Sequence, residues 1–261
     1  MFKKNLISTT IIITLIFMGT QAFSADGFDY IPDANTLALW HFDSDNGDKI
    51  KDASPNKFDG AVEGKSQFGD EGWKKDGEKG KAFVFDGTTV INVGKVKKLI
   101  KPEAMTIEAW VFPDDLSGWK LICCNWGGAV VGAWHFGVEA GTPKLHLTNK
   151  AGTTAFAGDG KIEVGKWQHV AGTYDGKSIK VYINGIPAGE SKFDGELKDN
   201  DMDVVIGSKD SREYQWKGRM DEVRISDKAR EPKELSPNMT APMTVRPTAK
   251  VATTWANVKA F

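Results

Sequence analysis

The stretch KWQHVAGTYDGKSIKVYINGIPAG, residues 166–189, decides the fold class. Residues 167–174 and 178–183 are rich in β-branched and aromatic side chains, and Ile179, Val181 and Ile183 alternate with other residues as one face of a strand does. Asp175-Gly176 separates the two runs, and Asn184-Gly185 is a strong turn signal because a type I′ turn needs positive φ at both positions. The stretch therefore predicts consecutive antiparallel strands joined by tight turns.

The same alternation of strand and turn extends from about residue 36 to residue 235. Residues 81–85 and 88–93 read as strands around Asp86-Gly87, which predicts a second hairpin, and residues 144–148 and 153–157 read as a short strand pair. Beyond the N-terminal segment, no run shows a sustained helical period of 3.6 residues. These patterns predict an all-β domain with too many strands for a small barrel.

The N-terminus has the pattern of an export signal. Lys3 and Lys4 precede an apolar run at residues 6–18, and residues 21–25 offer a small-x-small cleavage site with cleavage after Ser24. We expect a signal peptide at residues 1–24, a lead-in at 25–35, the folded domain at 36–235 and a tail or linker at 236–261. This predicts a secreted, periplasmic or cell-surface protein with no membrane span after cleavage, and an uncleaved anchor remains the alternative.

Charge and cysteine content narrow the functional classes. The formal net charge is −1 at pH 7, which argues against nucleic acid as a partner because such binding needs a strongly basic face. The two cysteines, Cys123 and Cys124, are adjacent, and a bridge between neighbours would be strained. We therefore expect free thiols on a strand, one buried and one facing outward.

Five further segments occur in an order that resembles one family. They are LALWHFDSDNGDKIKDASPNKFDG (37–60), GKAFVFDG (80–87), MTIEAWVFP (105–113), VVIGS (204–208) and WKGRMDEVRIS (216–226). Together with residues 166–189 they resemble the laminin-G-like jelly-roll domains of the concanavalin A-like superfamily, found in many exported bacterial proteins. The resemblance implies a two-sheet antiparallel jelly-roll sandwich. It does not imply one function, because this fold carries lectins, adhesion modules, glycosidases and lyases.

The sequence lacks the usual catalytic patterns. Glycosidases of this fold class often place carboxylates two residues apart on one strand, but no Glu is followed two residues later by Asp. Neither a Gly-x-Ser-x-Gly nor a His-Glu-x-x-His motif occurs. His169, inside the family's W-x-H-V-A-G-T-Y segment, is interpreted as a structural histidine. We expect no enzymatic activity, with a cryptic glycosidase or lyase as the remaining alternative.

Tryptophan is the main signal for a binding function. The glycine-rich segment 119–138 contains Trp119, Trp126 and Trp134, whose rings are candidates for stacking on a sugar. Four other tryptophans fit strand positions in the core: Trp40, Trp110, Trp167 and Trp216. We expect a carbohydrate-binding module, and a structural or adhesion domain that binds a cell-surface protein is the alternative.

A calcium site is also suggested by the resemblance. In related domains the D-x-S-G-N loop and the D-E-V-R-I strand lie close together near bound calcium, which here implies Asp52, Asn56 and Asp221 as ligands. Pro55 stands where the family's loop has glycine. The alternative is a polar loop in which Asp52 caps backbone amides, since Asp and Asn are common in ordinary turns.

Overall fold

The computed structural model describes residues 30–43, 47–72, 80–127, 130–209 and 212–235. The predicted signal peptide, the first part of the lead-in and the predicted tail lie outside these ranges. Two eight-stranded antiparallel sheets face each other, which confirms the all-β jelly-roll prediction. In the described part of the chain, no helix has both the length and the apolar character needed to cross a bilayer.

The first sheet has the strand order β14-β13-β12-β7-β16-β5-β4, and β1 pairs with the second half of β16. Its strands are β1 (Thr36–Trp40), β4 (Phe68–Gly72), β5 (Gly80–Asp86), β7 (Met105–Pro113), β12 (Gln168–Tyr174), β13 (Ser178–Ile183), β14 (Ile186–Lys192) and β16 (Lys217–Ser226).

The second sheet has the order β11-β10-β9-β8-β15-β6-β3-β2. Its strands are β2 (Lys49–Ile50), β3 (Gly60–Glu63), β6 (Val90–Gly94), β8 (Trp119–Gly127), β9 (Val130–Glu139), β10 (Thr142–Thr148), β11 (Thr154–Ala157) and β15 (Val204–Ile206). One short helix, α1 (Lys97–Ile100), leads from β6 to β7, and a 3-10 turn (Pro232–Glu234) follows β16.

The core fills the space between the sheets. Successive strand residues point to opposite faces, so alternate positions of both sheets meet in one apolar cluster. Trp40 and Trp216 are fully buried there, as expected. Trp167 is half-buried instead and packs edge-on against Phe112, so its predicted core position is wrong.

Residues 166–189 form the predicted pair of hairpins. Strands β12, β13 and β14 pair consecutively, with Ile183 opposite Ile186 across the second turn. Asn184 and Gly185 have φ of 51° and 74°, as a type I′ turn requires. The Asn184 side chain also accepts a hydrogen bond from the His169 N–H at 2.8 Å, which ties the turn to β12.

Replacement of Asn184 by valine is expected to lower the free energy of unfolding by about 1 kcal/mol, because a β-branched residue is strained at positive φ. Asn184→Gly is the control, since glycine keeps the backbone conformation and loses only the bond to His169. Urea denaturation of both variants measures the effect, and equal losses would contradict the conformational explanation.

The predicted hairpin at Asp86-Gly87 is wrong. Strand β5 belongs to the first sheet and β6 to the second, so the turn carries the chain from one sheet to the other. Gly87 has the positive φ of 90° that the signal predicted, and Asp86 accepts hydrogen bonds from the backbone N–H groups of Thr88 and Thr89. Local turn chemistry was therefore predicted correctly, but it does not determine the strand partner.

Terminal segments cover part of the outer face of the first sheet. Asp33 in the lead-in receives two hydrogen bonds from the Arg230 guanidinium, at 2.7 and 2.9 Å. Leu235, which is fully buried, packs on Ala171 and Tyr182. This part of the first sheet is thus closed by the chain itself.

Candidate functional site

Five flat rings stand in a row on the outer face of the second sheet. We call Tyr214, Trp126, His135, His146 and Phe156 the aromatic ladder. Neighbouring ring centroids are 5.9, 4.4, 4.3 and 4.7 Å apart, and neighbouring planes differ by only 16–23°. The ladder therefore crosses β8, β9, β10 and β11 and extends to the loop between β15 and β16.

Strand register explains why the rings align. His146 lies opposite His135 on one side and opposite Phe156 on the other. Each of these residues is flanked by core residues, as in Trp134-His135-Phe136 and Leu145-His146-Leu147, so the period of two turns the three rings outward. Cross-strand neighbours on one face lie about 5 Å apart, which is close to the spacing at which rings stack.

Trp119 and two lysines flank the ladder. The Trp119 ring meets His146 and His135 at steep angles, with centroids 5.1 and 5.6 Å away. Lys144 Nζ lies 4.7 Å from the Phe156 ring and binds Glu139, and Lys209 Nζ lies 4.6 Å from the Trp126 ring and binds Glu213. Each cation is thus paired with a carboxylate, which leaves the surface close to neutral.

Ring stacking limits which faces a ligand can reach. The Trp126 ring stacks on the His135 ring and on the Tyr214 ring, and Lys209 Nζ lies over it as well. Phe156 and Tyr214, at the two ends, are 48% and 39% exposed. Trp119 is half-buried and has no parallel ring stacked on it among the described residues. These three side chains offer the accessible aromatic surface.

Both histidines of the ladder are held in the neutral state. Burial lowers the pKa of His146 from 6.5 to about 4, and the nearby Lys144 charge adds to this effect. Burial and then the neighbouring His146 lower the pKa of His135 well below its ordinary value. Two neutral imidazoles can stack as aromatic rings, whereas two imidazolium ions 4.3 Å apart would repel each other.

The three predicted tryptophans have different positions. Trp119 and Trp126 lie on the outer face, but Trp134 is only 1% exposed and its indole N–H donates to the Leu99 carbonyl inside the core. Trp134 cannot contact a ligand in this position, so its proposed role is corrected. Period-two alternation beside His135 explains why it faces inward.

Gly132 and Gly137 of this segment do not open room for a ligand. A β-carbon at Gly132 would overlap the Asn125 carbonyl oxygen, and one at Gly137 would lie 2.5 Å from the Lys120 carbonyl oxygen. They allow β8 and β9 to approach closely, which is a packing role.

The residues expected to bind calcium make hydrogen bonds within the protein. The buried Asp52 carboxylate accepts hydrogen bonds at 2.7–2.9 Å from the N–H groups of Leu39, Ser54 and Phe58 and from the Ser54 hydroxyl. Asn56 donates to the Leu37 carbonyl and accepts from Lys98, and Asp221 accepts from the N–H of Glu222. The side-chain oxygens of these three residues already accept hydrogen bonds from protein donors, and Asp52 caps backbone amides as the capped-loop alternative predicts.

A buried polar cluster lies on the first sheet, under the lead-in. Glu108 accepts hydrogen bonds from Arg224 at 2.8 and 2.6 Å and from the Tyr30 hydroxyl at 3.0 Å, and His169 Nε2 lies 3.1 Å from the same carboxylate. Burial alone would raise the pKa of Glu108, but the Arg224 charge and the His169 hydrogen bond lower it to about 2.

Within the described part of the chain, the side chains of this cluster are closed off from solvent. Glu108 and His169 are fully buried, and Tyr30 and Arg224 are each 4% exposed. A carboxylate held ionised in this way is not a general acid. The cluster anchors the lead-in, which supports the interpretation of His169 as a structural residue.

Comparison with known families identifies the fold. A family model described as the concanavalin A-like lectin/glucanases superfamily, of laminin G type, matches residues 85–236. The matched region contains all of the aromatic ladder. No curated protein matches the sequence.

Solved structures show the same architecture. The binding domain of Paraclostridial Mosquitocidal Protein 1 superposes with a TM-score of 0.61 and 20% identity over 78% of this chain and 52% of that chain. Domain 4 of AbnA, an extracellular GH43 arabinanase from Geobacillus stearothermophilus, gives 0.61 and 22% over 79% and 98%, in a complex with arabinotriose. The botulinum neurotoxin serotype G binding domain gives 0.58 and 14% over 78% and 50%. The chain spans about half the length of the two toxin domains, and identities this low establish similarity of fold only.

Proposed function

The chain belongs to the concanavalin A-like lectin/glucanases superfamily, and from this premise we propose that it is a non-catalytic, extracellular binding module for carbohydrate. The observation that carries the proposal is the aromatic surface formed by the two end rings of the ladder, Phe156 and Tyr214, and by Trp119 beside it. Flat apolar rings beside paired charges suit the C–H face of a sugar and its hydroxyl groups. Export through the N-terminal segment is part of this proposal.

The ladder gives this surface its rigidity. Its inner rings, Trp126, His135 and His146, stack one on the next, so they hold the end rings in place rather than offering faces of their own. A preorganised surface loses less conformational entropy when a ligand binds. The near-neutral charge favours an uncharged polysaccharide over a strongly acidic one.

A glycan array followed by calorimetry on the purified protein tests this function. Arabino-oligosaccharides are the first probes, because domain 4 of AbnA, which shares the fold, was solved with arabinotriose. Binding of at least one neutral glycan is expected. Absence of binding across the array would overturn the carbohydrate proposal and favour the alternative of a protein partner.

Substitution of Trp119 or Phe156 by alanine is expected to weaken glycan binding about two- to tenfold, because an aromatic stacking contact contributes ~0.5–1.5 kcal/mol. Trp167→Ala is the matched control, since this half-buried tryptophan packs against Phe112 on the other sheet. Calorimetric titration compares the three variants. Equal affinities for wild type and Trp119→Ala would place the binding surface elsewhere.

A further inference from the structure

A groove lies at the side of the sandwich, between the edge strands β11 and β14 of the two sheets. Among the described residues, each of these strands pairs with one neighbour only. At one end of the groove the Asp159 N–H donates to the Ala188 carbonyl at 2.7 Å, and at the other end Asn149 forms a β-bridge with Leu197. Between these two contacts the edges stay apart and leave a volume of about 810 Å³. Small-molecule sites occupy about 300–1,000 Å³, so the groove is large enough for a ligand.

Polar residues line both sides of this groove. Thr153, just before β11, and Ala155 share the face of the buried Ala157, because alternate strand residues point to the same side. The buried Phe193 adds an apolar surface. The first sheet and its turns contribute Lys177, Ser178, Glu190, Lys192 and Asp194. Two lysines and two carboxylates leave the groove close to neutral, and hydroxyl and carboxylate groups can exchange hydrogen bonds with the hydroxyl groups of a sugar.

One end of the aromatic ladder lies on the other side of the same strand. Phe156 stands between Ala155 and Ala157, so its ring is on the outer face of β11. The ring stacks on His146 of β10, with centroids 4.7 Å apart, and the residue is 48% exposed. Because β11 is the last strand of its sheet, the opposite side of the Phe156 ring looks past the sheet edge. A ligand that lies on this ring and crosses the β11 edge therefore reaches the groove.

Both edges are poorly suited to an added peptide strand. Strand β11 is only four residues long, and β14 contains Pro187 and a register irregularity opposite β13. Short strands, proline, irregular register and charged residues protect a sheet edge against further strand pairing. A sugar chain needs no continuous strand ladder and can bind to a few well-placed polar groups. These features favour a glycan over a peptide as the occupant.

We propose that the groove between β11 and β14 is a second glycan subsite, so that the protein binds a neutral oligosaccharide chain several residues long rather than a single terminal sugar. This inference rests on the carbohydrate-binding function proposed above. Phe156 holds one part of the chain by stacking, and the groove holds the part that crosses the β11 edge.

Calorimetric titration of the whole protein with a length series of one glycan tests this subsite. Arabinobiose, arabinotriose and longer arabino-oligosaccharides are the first probes, followed by the same series of any neutral glycan that the array identifies. We expect the affinity to rise about tenfold from the shortest member that binds to the longer members, which corresponds to about one to three net hydrogen bonds. Affinity that does not change with chain length would overturn the subsite and leave the carbohydrate function intact. Absence of binding to every glycan would overturn both.

A blocking variant locates the added affinity. Thr153→Arg places a long side chain in the groove, so it is expected to lower the affinity for the long glycan to that for the shortest member that binds. Val164→Arg is the matched control, since valine and threonine are similar in size, and Val164 is 53% exposed and is not among the described residues that line the groove. Equal affinities of the two variants for the long glycan would contradict the proposal.

Two further measurements cover a misfolded variant and the other class of ligand. The double variant Glu190→Ala/Lys192→Ala changes exposed residues on the opposite side of the groove and is expected to lower the same affinity. If it binds the long glycan as the wild-type protein does, the subsite is wrong. A fluorescent Thr-Val repeat peptide that binds the wild-type protein but not Thr153→Arg would assign the groove to a protein partner instead.

Discussion

Replacement of Arg224 by methionine is expected to lower the free energy of unfolding by about 3–5 kcal/mol, because it leaves the Glu108 carboxylate buried without its cation. Arg224 donates two hydrogen bonds to Glu108, at 2.6 and 2.8 Å, and its guanidinium carbon lies 4.0 Å from the centroid of the Tyr30 ring. The methionine side chain is similar to arginine in length and in apolar contact, so the loss of stability reflects mainly the loss of the charge. Urea denaturation at pH 7 measures it.

The pH dependence separates charge from packing in this variant. In the wild-type protein the pKa of Glu108 is lowered to about 2, so its ionised form stabilises the fold above pH 4.5 and this contribution is lost as the pH falls towards 2. Without Arg224, burial raises the pKa of Glu108, so acid relieves the unpaired charge. The difference between wild type and variant should therefore shrink below about pH 5. A constant difference would indicate lost packing alone.

Two further variants serve as controls for Arg224. The double variant Arg224→Met/Glu108→Met is expected to recover most of the lost stability, since apolar replacement of a whole buried ion pair is often close to neutral. Lys166→Ala removes an ion pair with Glu163 in which both side chains are about 60% exposed. Its melting temperature is expected to match that of the wild-type protein.

The local sequence pattern predicted the positions of the strands better than it predicted which strands pair with each other. The β12-β13-β14 segment was predictable because Asn184-Gly185 fixes both the turn and the register of the strands it joins. Asp86-Gly87 carried a similar turn signal, yet the chain there changes sheet. Whether such a turn closes a hairpin or moves the chain to the other sheet depends on which distant strands pair with each segment. A single sequence does not reveal these long-range pairings.

The candidate surface was predictable only in part, for the same reason. Trp119 and Trp126 were found from composition, whereas His135, His146 and Phe156 were missed because each stands alone between core residues. The predicted pairing of residues 144–148 with 153–157 was correct and already placed His146 opposite Phe156. A prediction that β9 also pairs with β10, with His135 opposite His146, would have revealed the row of stacked rings. Tyr214 follows no strand pattern, and no sequence signal indicated it.

The ladder makes stability depend on pH in the mildly acidic range. Well above pH 6.5 its histidines are neutral in both the folded and the unfolded chain. Between pH 6.5 and about 4 the unfolded chain takes up protons at His146 while the folded protein does not, so stability falls as the pH falls. His135, whose pKa is also lowered, acts in the same direction. After allowance for partial exposure of His146, the expected loss is about 2 kcal/mol.

Substitution of His146 by phenylalanine is expected to flatten this pH dependence, because phenylalanine keeps a flat ring between His135 and Phe156 but takes up no proton. Urea denaturation at intervals between pH 7.5 and 4.5 measures the free energy of unfolding of both proteins. The contribution of carboxyl groups that titrate in both proteins cancels when the two free energies are subtracted. Phe156→Leu is the matched control, since it disturbs the end of the same stack and removes no group that takes up a proton. Parallel pH profiles for wild type and His146→Phe would show that the stacked imidazoles are not the acid-sensitive element.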